Sequence, residues 1–211
     1  MIRSISKKLA ALLSICILLT VFAAGCAGQS RKNAQNTAEI TGHPQVEFEM
    51  DNGDKMVFEL YPEYAPETVQ NFVDLVKSEF YNGLTFHRIV KGFMIQGGDP
   101  SGNGSGGSEK TIKGEFSENG FTQNTLSHKR GVISMARSGD PNSASSQFFI
   151  MHDDQAASAL DGKYAAFGKL ISGEETLDKI ADTPVTSSDS IPGEVSKPLE
   201  KVVIKSVKLL D

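Results

Sequence analysis

The segment Phe86 to Asp99, FHRIVKGFMIQGGD, places Arg88 in an otherwise apolar run, then Phe93 and Met94, then Gln96. In an extended strand Met94 and Gln96 share one face. Downstream, GVISMA ends in Ala136, and SQFFIM sets Phe148 and Phe149 side by side on opposite faces of a strand. Together these supply one cation, one amide and a patch of Phe and Met. The set holds no nucleophile and no paired carboxylates. Such a set offers no covalent intermediate, and taken one residue at a time it reads rather as a core of Phe and Met with Arg88 snorkelling to water.

Other motifs point nowhere. Gly102 to Gly107, GNGSGG, literally contains Gly-x-Gly-x-x-Gly, but the SEKTIKGEF that follows has no helical apolar face, so a flexible surface loop is expected instead of a dinucleotide site. Gly162-Lys163 and Gly168-Lys169 are not followed by Ser or Thr, which excludes a P-loop. His43, His87, His128 and His152 are scattered without metal-ligand spacing, so no metal site is expected. Nothing in the order of residues points to a Ser-His-Asp triad. A net charge of −5 argues against an ordinary electrostatic nucleic-acid binder. The only cysteines, Cys16 and Cys26, lie at the start of the chain, which excludes a disulfide scaffold and a Cys-based zinc site in the body.

The elements that must position these residues are short. Val46, Phe48 and Met50 alternate, Asp51-Asn52-Gly53-Asp54 follows, and Met56, Phe58 and Leu60 alternate again, the pattern of a β-hairpin. From Pro66, residues Val69, Phe72, Val73, Val76 and Phe80 recur at helical spacing, with Asn82-Gly83 expected to stop the helix. LTFHRIV, GFMIQG, GVISMA, QFFIM and YAAFGKL are apolar runs bounded by turn residues, GEETLDKIAD reads as a second helix, and EKVVIKSVKLL as a closing strand. Many short strands with two helices make a mostly β fold, a closed barrel with helical caps. The 211 residues fit one domain plus a tail.

The tail is an address. Arg3, Lys7 and Lys8 precede an apolar run from Leu9 to Ala24, shorter than the about 20 residues of a membrane span and suited to a secretory signal. Ala23-Ala24-Gly25-Cys26 resembles the lipobox of bacterial lipoproteins, with Ala23 at the position usually held by Leu. Residues 1–25 are therefore expected to be removed and Cys26 to carry the lipid, leaving 186 residues with a charge of −8; an ordinary signal peptide cleaved after a small residue and an uncleaved anchor are the rival readings. So acidic a surface would repel anionic headgroups, and attachment must come from the lipid. Residues 26–44 are polar and lack apolar period, a flexible tether reaching roughly 20–25 Å. The expected location is the extracytoplasmic face of the cell membrane.

FHRIVKGFMIQGGD, GVISMA, SQFFI and LDGKYAAFGKL match, in order and approximate spacing, the cyclophilin family of peptidyl-prolyl isomerases, and the resemblance covers about residues 45–211. It implies an eight-stranded antiparallel β-barrel closed by two helices, working as a monomer without cofactor or metal. It implies Arg88, Phe93 and Gln96 as catalytic residues, and Met94, Ala136, Phe149, Leu160 and Tyr164 as substrate-binding ones. Tyr164 stands where many members have His, Ala159 where many have Trp, and Arg137 where many have Asn. These departures bear on inhibitor binding and substrate preference more than on the chemistry. The implied partners are proline-containing, partly folded exported polypeptides. A tethered module that only holds such segments is the rival reading. A solute receptor would normally need two lobes and a longer chain.

Overall fold

The computed structural model describes Ile40 and residues 42–210. The expected signal peptide, lipidated Cys26 and most of the tether lie outside the described residues. The strands are β1 Gln45–Met50, β2 Lys55–Leu60, β3 Thr85–Phe86, β4 Arg88–Val90, β5 Met94–Gly97, β6 Val132–Met135, β7 Phe148–Met151, β8 Ala166–Ser172, β9 Val185–Ser187, β10 Val195–Pro198 and β11 Val202–Leu210. The helices are α1 Pro66–Lys77, α2 Ala157–Leu160 and α3 Glu174–Ala181. Nine strands form one antiparallel sheet in the order β3-β11-β1-β2-β8-β6-β7-β5-β4, and β9 pairs with β10 separately.

The two end strands of that sheet, β3 and β4, are separated by His87 alone, so the sheet curls into a nearly closed barrel. The eight strands expected become nine because one strand breaks at His87. The His87 N–H still reaches the Gln96 carbonyl at 3.0 Å. Taken as one bent strand, β3 and β4 restore the eight. The third helix, α2, is a single turn of 4 residues, too short to carry an apolar period of its own.

The expected hairpin forms. β1 and β2 pair from Gln45↔Glu59 to Glu49↔Lys55, and Gly53, at φ +87°, takes the left-handed position in the connecting turn. Inside the barrel, Phe48, Phe58, Phe72, Phe148 and Phe167 are fully buried; Phe48–Phe58 meet edge-on with centroids 5.3 Å apart, Phe72–Phe167 tilted at 5.1 Å, and Phe48–Phe72 stacked at 6.3 Å.

Helix α1 buries Val69, Phe72, Val73 and Val76 as its spacing predicts. It ends earlier than Asn82-Gly83. Lys77 is its last residue, and Glu79 adopts φ +58°, which turns the chain out of the helix. Phe80 therefore packs on the core from the turn. Tyr81 is fully buried, and its hydroxyl donates to the Ser146 carbonyl at 3.1 Å.

The start of α1 has no side-chain cap of its own, because Ala65 occupies the N-cap. The free N–H groups of Glu67 and Thr68 instead donate to the two carboxylate oxygens of Glu115, at 3.0 and 2.8 Å. Glu115 is buried and 48 residues away from Glu67. A carboxylate at a helix N-terminus satisfies orphan donors and opposes the positive dipole end. Glu115→Ala is expected to lower unfolding stability by about 2 kcal/mol, since two donors lose a charged acceptor. Glu115→Gln, which keeps one carbonyl oxygen, should lose less. Urea midpoints at unchanged m-value check both.

Candidate active site

The antiparallel register lays two kinds of row across β4, β5, β7 and β6. Ile89 faces Ile95, Ile95 faces Ile150, and Ile150 faces Ile133. All four isoleucines are buried in the main core. One residue along, Arg88 faces Gln96, Gln96 faces Phe149, and Phe149 faces Ser134. Side chains alternate along a strand, so this second row lies on the outer face of the barrel. There a second apolar cluster forms, with Met94, Val132, Phe149, Met151 and Ala166 buried at its base. Phe93, Ala136, Leu160 and Tyr164 pack against it half-buried.

Each residue arrives on its own element. Phe93 sits in the tight β4–β5 turn, where its N–H donates to the Val90 carbonyl at 2.9 Å and its carbonyl accepts from His152 N–H at 2.9 Å. Ala136 follows β6 and is tied to β7 through the Gln147 carbonyl at 2.9 Å. Leu160 ends α2, with Ala159 exposed beside it. The Tyr164 ring meets Phe149 edge-on, centroids 5.7 Å apart. All eight residues expected at the site are thus brought onto one face.

Arg88 is half-buried at the edge of this apolar floor. Its Nη1 donates to Gln96 Oε1 at 3.1 Å and lies 3.7 Å from Met94 Sδ, while its guanidinium carbon is 5.8 Å from the Phe93 ring centre. On the other side Nε and Nη2 donate to the two oxygens of Glu194, each at 2.7 Å. Arg88 holds the Glu194 carboxyl below the usual carboxylate range, against a smaller upward push from burial. Gln96 Nε2 donates to Gln147 Oε1 at 2.9 Å, and Gln147 in turn donates to the carbonyls of Gly104 and Gly106.

Those carbonyls belong to GNGSGG. The segment is not a nucleotide loop, as expected, but it is more than surface decoration. Asp99 accepts the N–H groups of Ser101, Asn103 and Gly104 and so folds the loop around its carboxylate. Burial pushes Asp99 up and these backbone bonds outweigh it, leaving the carboxyl below its usual range. Gly98 at φ +83° lets the chain pass the Ser146 carbonyl where any Cβ would collide. The loop forms one wall of a polar cleft of about 320 Å³ that Gln96, Ala136, Arg137 and Gln147 also line. A second cleft of about 430 Å³ opens on the other side, between Arg88, Asn103, Ser190 and Ile191.

Beneath Phe149 lies a group the sequence reading did not assemble. His128, fully buried, stacks on the Phe149 ring at 5.9 Å and 14°. Its Nδ1 meets Asp161 Oδ1 at 2.7 Å and its Nε2 meets Ser134 Oγ at 3.0 Å. A carboxylate only accepts, so Nδ1 carries the proton and Nε2 takes the Ser134 hydroxyl hydrogen. This has the connectivity of a hydrolase triad, but Ser134 is 0% exposed and has no path to a substrate. It acts as a brace, tying the loop before β6 to the segment carrying Leu160. Asp161 and Ser134 lie inside LDGKY and GVISMA, so the signal was present without its pairing. Glu194 and Gln147 had no signal in spacing. Among the described residues, no three His, Cys, Asp or Glu side chains gather to hold a metal ion.

A barrel bearing an external apolar groove, edged by one arginine and one amide, defines a non-covalent polypeptide-handling site. The family model described as cyclophilin type peptidyl-prolyl cis-trans isomerase matches residues 45–209. Peptidyl-prolyl cis-trans isomerase-like 3 of Rattus norvegicus is 42% identical over 164 residues, 78% of this chain and 94% of that protein. Peptidyl-prolyl cis-trans isomerase B of Bacillus subtilis is 43% identical over 146 residues, 69% of this chain and 96% of that one. The crystal structure of a Cryptosporidium parvum cyclophilin type isomerase superposes with a TM-score of 0.70 at 34% identity, covering 81% of this chain and 99% of that one. The chain belongs to the cyclophilin-type peptidyl-prolyl cis-trans isomerases. It is an enzyme that turns X–Pro bonds, and the family needs no cofactor for this.

Burial pushes His128 and His87 below the ordinary histidine range, with Asp161 and Asp99 respectively opposing the shift. A group whose pKa is lowered on folding stabilises the fold above its unfolded value and loses that contribution as pH falls toward the folded one. Stability should therefore decline as pH drops below about 6.5, the unperturbed histidine value. His128→Asn should flatten that decline. Urea unfolding at pH 7.5 and 5.0 measures it, and equal wild-type stability at both would contradict the assignment.

Proposed function

We propose that this isomerase accelerates X–Pro rotation in exported proteins, assisting their folding at the outer face of the membrane to which a lipid on Cys26 holds it. The observation that carries the catalytic reading is the facing pair Arg88 and Gln96, fixed at the edge of the apolar floor made by Phe93, Met94 and Phe149. The anchor rests on the N-terminal residues alone.

Rotation about X–Pro must break amide resonance, a barrier of about 18–20 kcal/mol. No covalent bond is made or broken, so no nucleophile is called for. The planar amide is the more dipolar state. The twisted one has an amine-like nitrogen and less charge separation. The proline ring sits on Phe93, Met94, Phe149 and Leu160, with Ala136 and Tyr164 at the sides. This apolar seat disfavours the dipolar ground state relative to the twisted one. Three of the five guanidinium N–H groups are committed to Glu194 and Gln96 and a fourth, on Nη1, to Met94 Sδ, which leaves one on Nη2. This one donates to the prolyl nitrogen lone pair as resonance is lost, and Gln96 orients the backbone at the rotating carbonyl. A contact that tightens on twisting lowers the barrier. An acceleration of about 10⁴–10⁵ needs only about 5–7 kcal/mol. A dipeptide of the Ala-Pro class, present with the related Cryptosporidium parvum protein, is the smallest ligand of the right kind.

Arg88→Ala is expected to lower turnover of an Ala-Pro peptide by about 10²–10³ with the fold retained, the scale of losing one transition-state donor. Wild-type turnover in a folded variant would sink the mechanism. Cys26→Ser is expected to release the protein from the membrane fraction, or to leave its precursor unprocessed, with peptide turnover unchanged. Normal processing together with unchanged attachment would remove the lipid from the proposal.

A further inference from the structure

Arg88 is held from the side away from Gln96 by a carboxylate that its own sequence segment does not supply. Glu194 lies 106 residues further along, immediately before β10. The contact is fork to fork, Nε to Oε1 and Nη2 to Oε2, the geometry in which a guanidinium has least freedom to swing. Both side chains are 22% exposed, so water shields the pair only in part.

The segment that presents Glu194 is itself closed. Ser188 N–H donates to the Glu194 carbonyl at 2.8 Å, and Glu194 N–H to the Ile191 carbonyl at 3.1 Å. Ile191 N–H donates to the Ser188 hydroxyl at 3.0 Å, and Lys197 pairs with Asp189 across the same hairpin. β10 packs against β4, the strand that carries Arg88. The carboxylate is thus fixed before any substrate arrives. On the opposite edge, Gln96 is fixed by Gln147 and the glycine loop. Arg88 is therefore clamped from two independent parts of the chain, with the second N–H of Nη2 as its unclaimed reach.

We propose that Glu194 is a positioning residue for the isomerase reaction, setting the plane of the Arg88 guanidinium so that its unclaimed N–H is held ready for the twisting amide. The inference rests on Arg88 being the transition-state donor. A donor on a flexible stem must be ordered as the amide twists, and that ordering subtracts from the gain. A donor already ordered spends nothing at that moment. Glu194 touches no reacting atom, so its effect must pass entirely through Arg88.

The test is a double-mutant cycle on the full chain, with kcat and KM resolved separately on one Ala-Pro peptide. The variants are Glu194→Ala, Glu194→Gln, Arg88→Ala, and Arg88→Ala with Glu194→Ala. Glu194→Ala is expected to lower kcat about tenfold with KM within about twofold. Glu194→Gln, which keeps one acceptor oxygen and the shape of the side chain, should fall between it and wild type. The double variant should match Arg88→Ala, because nothing remains for Glu194 to position. Thermal midpoints accompany each measurement. If Glu194→Ala proves unstable, the same cycle is run with Glu194→Gln. Unchanged kcat at 194, a rise in kcat, or a loss that adds in full to that of Arg88→Ala would each overturn the inference. The rise would make the pair a restraint, and the additive loss would make Glu194 a mere support of the hairpin. Wild-type kcat in folded Arg88→Ala would fault the catalytic reading itself, a failure distinct from a harmless change at Glu194.

Discussion

A slip of one residue between β4 and β5 would turn Arg88 into the barrel and bring Ile89 onto the groove. Everything at the site depends on that register. Four isoleucines in a row on the inner face lock it, because a slip would move each out of the core and replace it with Arg88, Gln96, Phe149 or Ser134. Burying an unpaired guanidinium in place of an isoleucine is among the most costly exchanges a core can suffer. The hydrophobic effect that closes the barrel thus also aims the row of Arg88, Gln96 and Phe149 outward. Stability and the proposed site share one constraint, with opposite faces of the same strands serving each.

Outward aim is not enough, since a side chain on a barrel surface is free to swing. Nearly every polar group near the groove is held by a partner from far along the chain. Glu194 and Gln96 hold Arg88, Gln147 holds Gln96, and the loop folded around Asp99 holds Gln147. Below, Ser134, His128 and Asp161 support the Phe149 ring and fasten the segment that carries Leu160. The Ser-His-Asp connectivity shows how little connectivity alone decides. Its hydroxyl is sealed under an aromatic ring, so the same three residue types that cleave bonds elsewhere serve as scaffolding.

What the sequence made legible is what local chemistry determines. The hairpin at Asn52-Gly53, the apolar face of α1 and the alternation of the short strands rest on spacing within a few positions, and the eight residues expected at the groove rest on the resemblance of contiguous motifs. The unread features depend on distant partners. Glu115 caps a helix 48 residues earlier, and Glu194 clamps an arginine 106 residues earlier. No periodicity announces such pairs. The end of α1 was misplaced for a different reason. Phe80 continues the apolar spacing, so pattern alone extends the helix through a residue that the backbone has already turned away at Glu79. The break at His87 divides one apolar run into two strands without any glycine or proline to mark it.

Two of the three departures from the family pattern, Arg137 and Tyr164, fall together in space. Arg137, where many members have Asn, lays its guanidinium carbon 4.7 Å from the centre of the Tyr164 ring and 5.1 Å from that of Phe116, and its Nε donates to the Lys163 carbonyl at 3.1 Å. Tyr164, where many have His, is in turn edge-on to Phe149. Without Arg137 the Tyr164 ring would have no cation, and without Tyr164 the guanidinium would keep the Phe116 ring alone. Together they form a stack of the cation–π kind, worth about 0.5–1 kcal/mol where exposed and more where water is excluded. The stack stiffens the wall of the groove that faces away from Arg88, while Arg88, Gln96 and the apolar floor keep the family pattern.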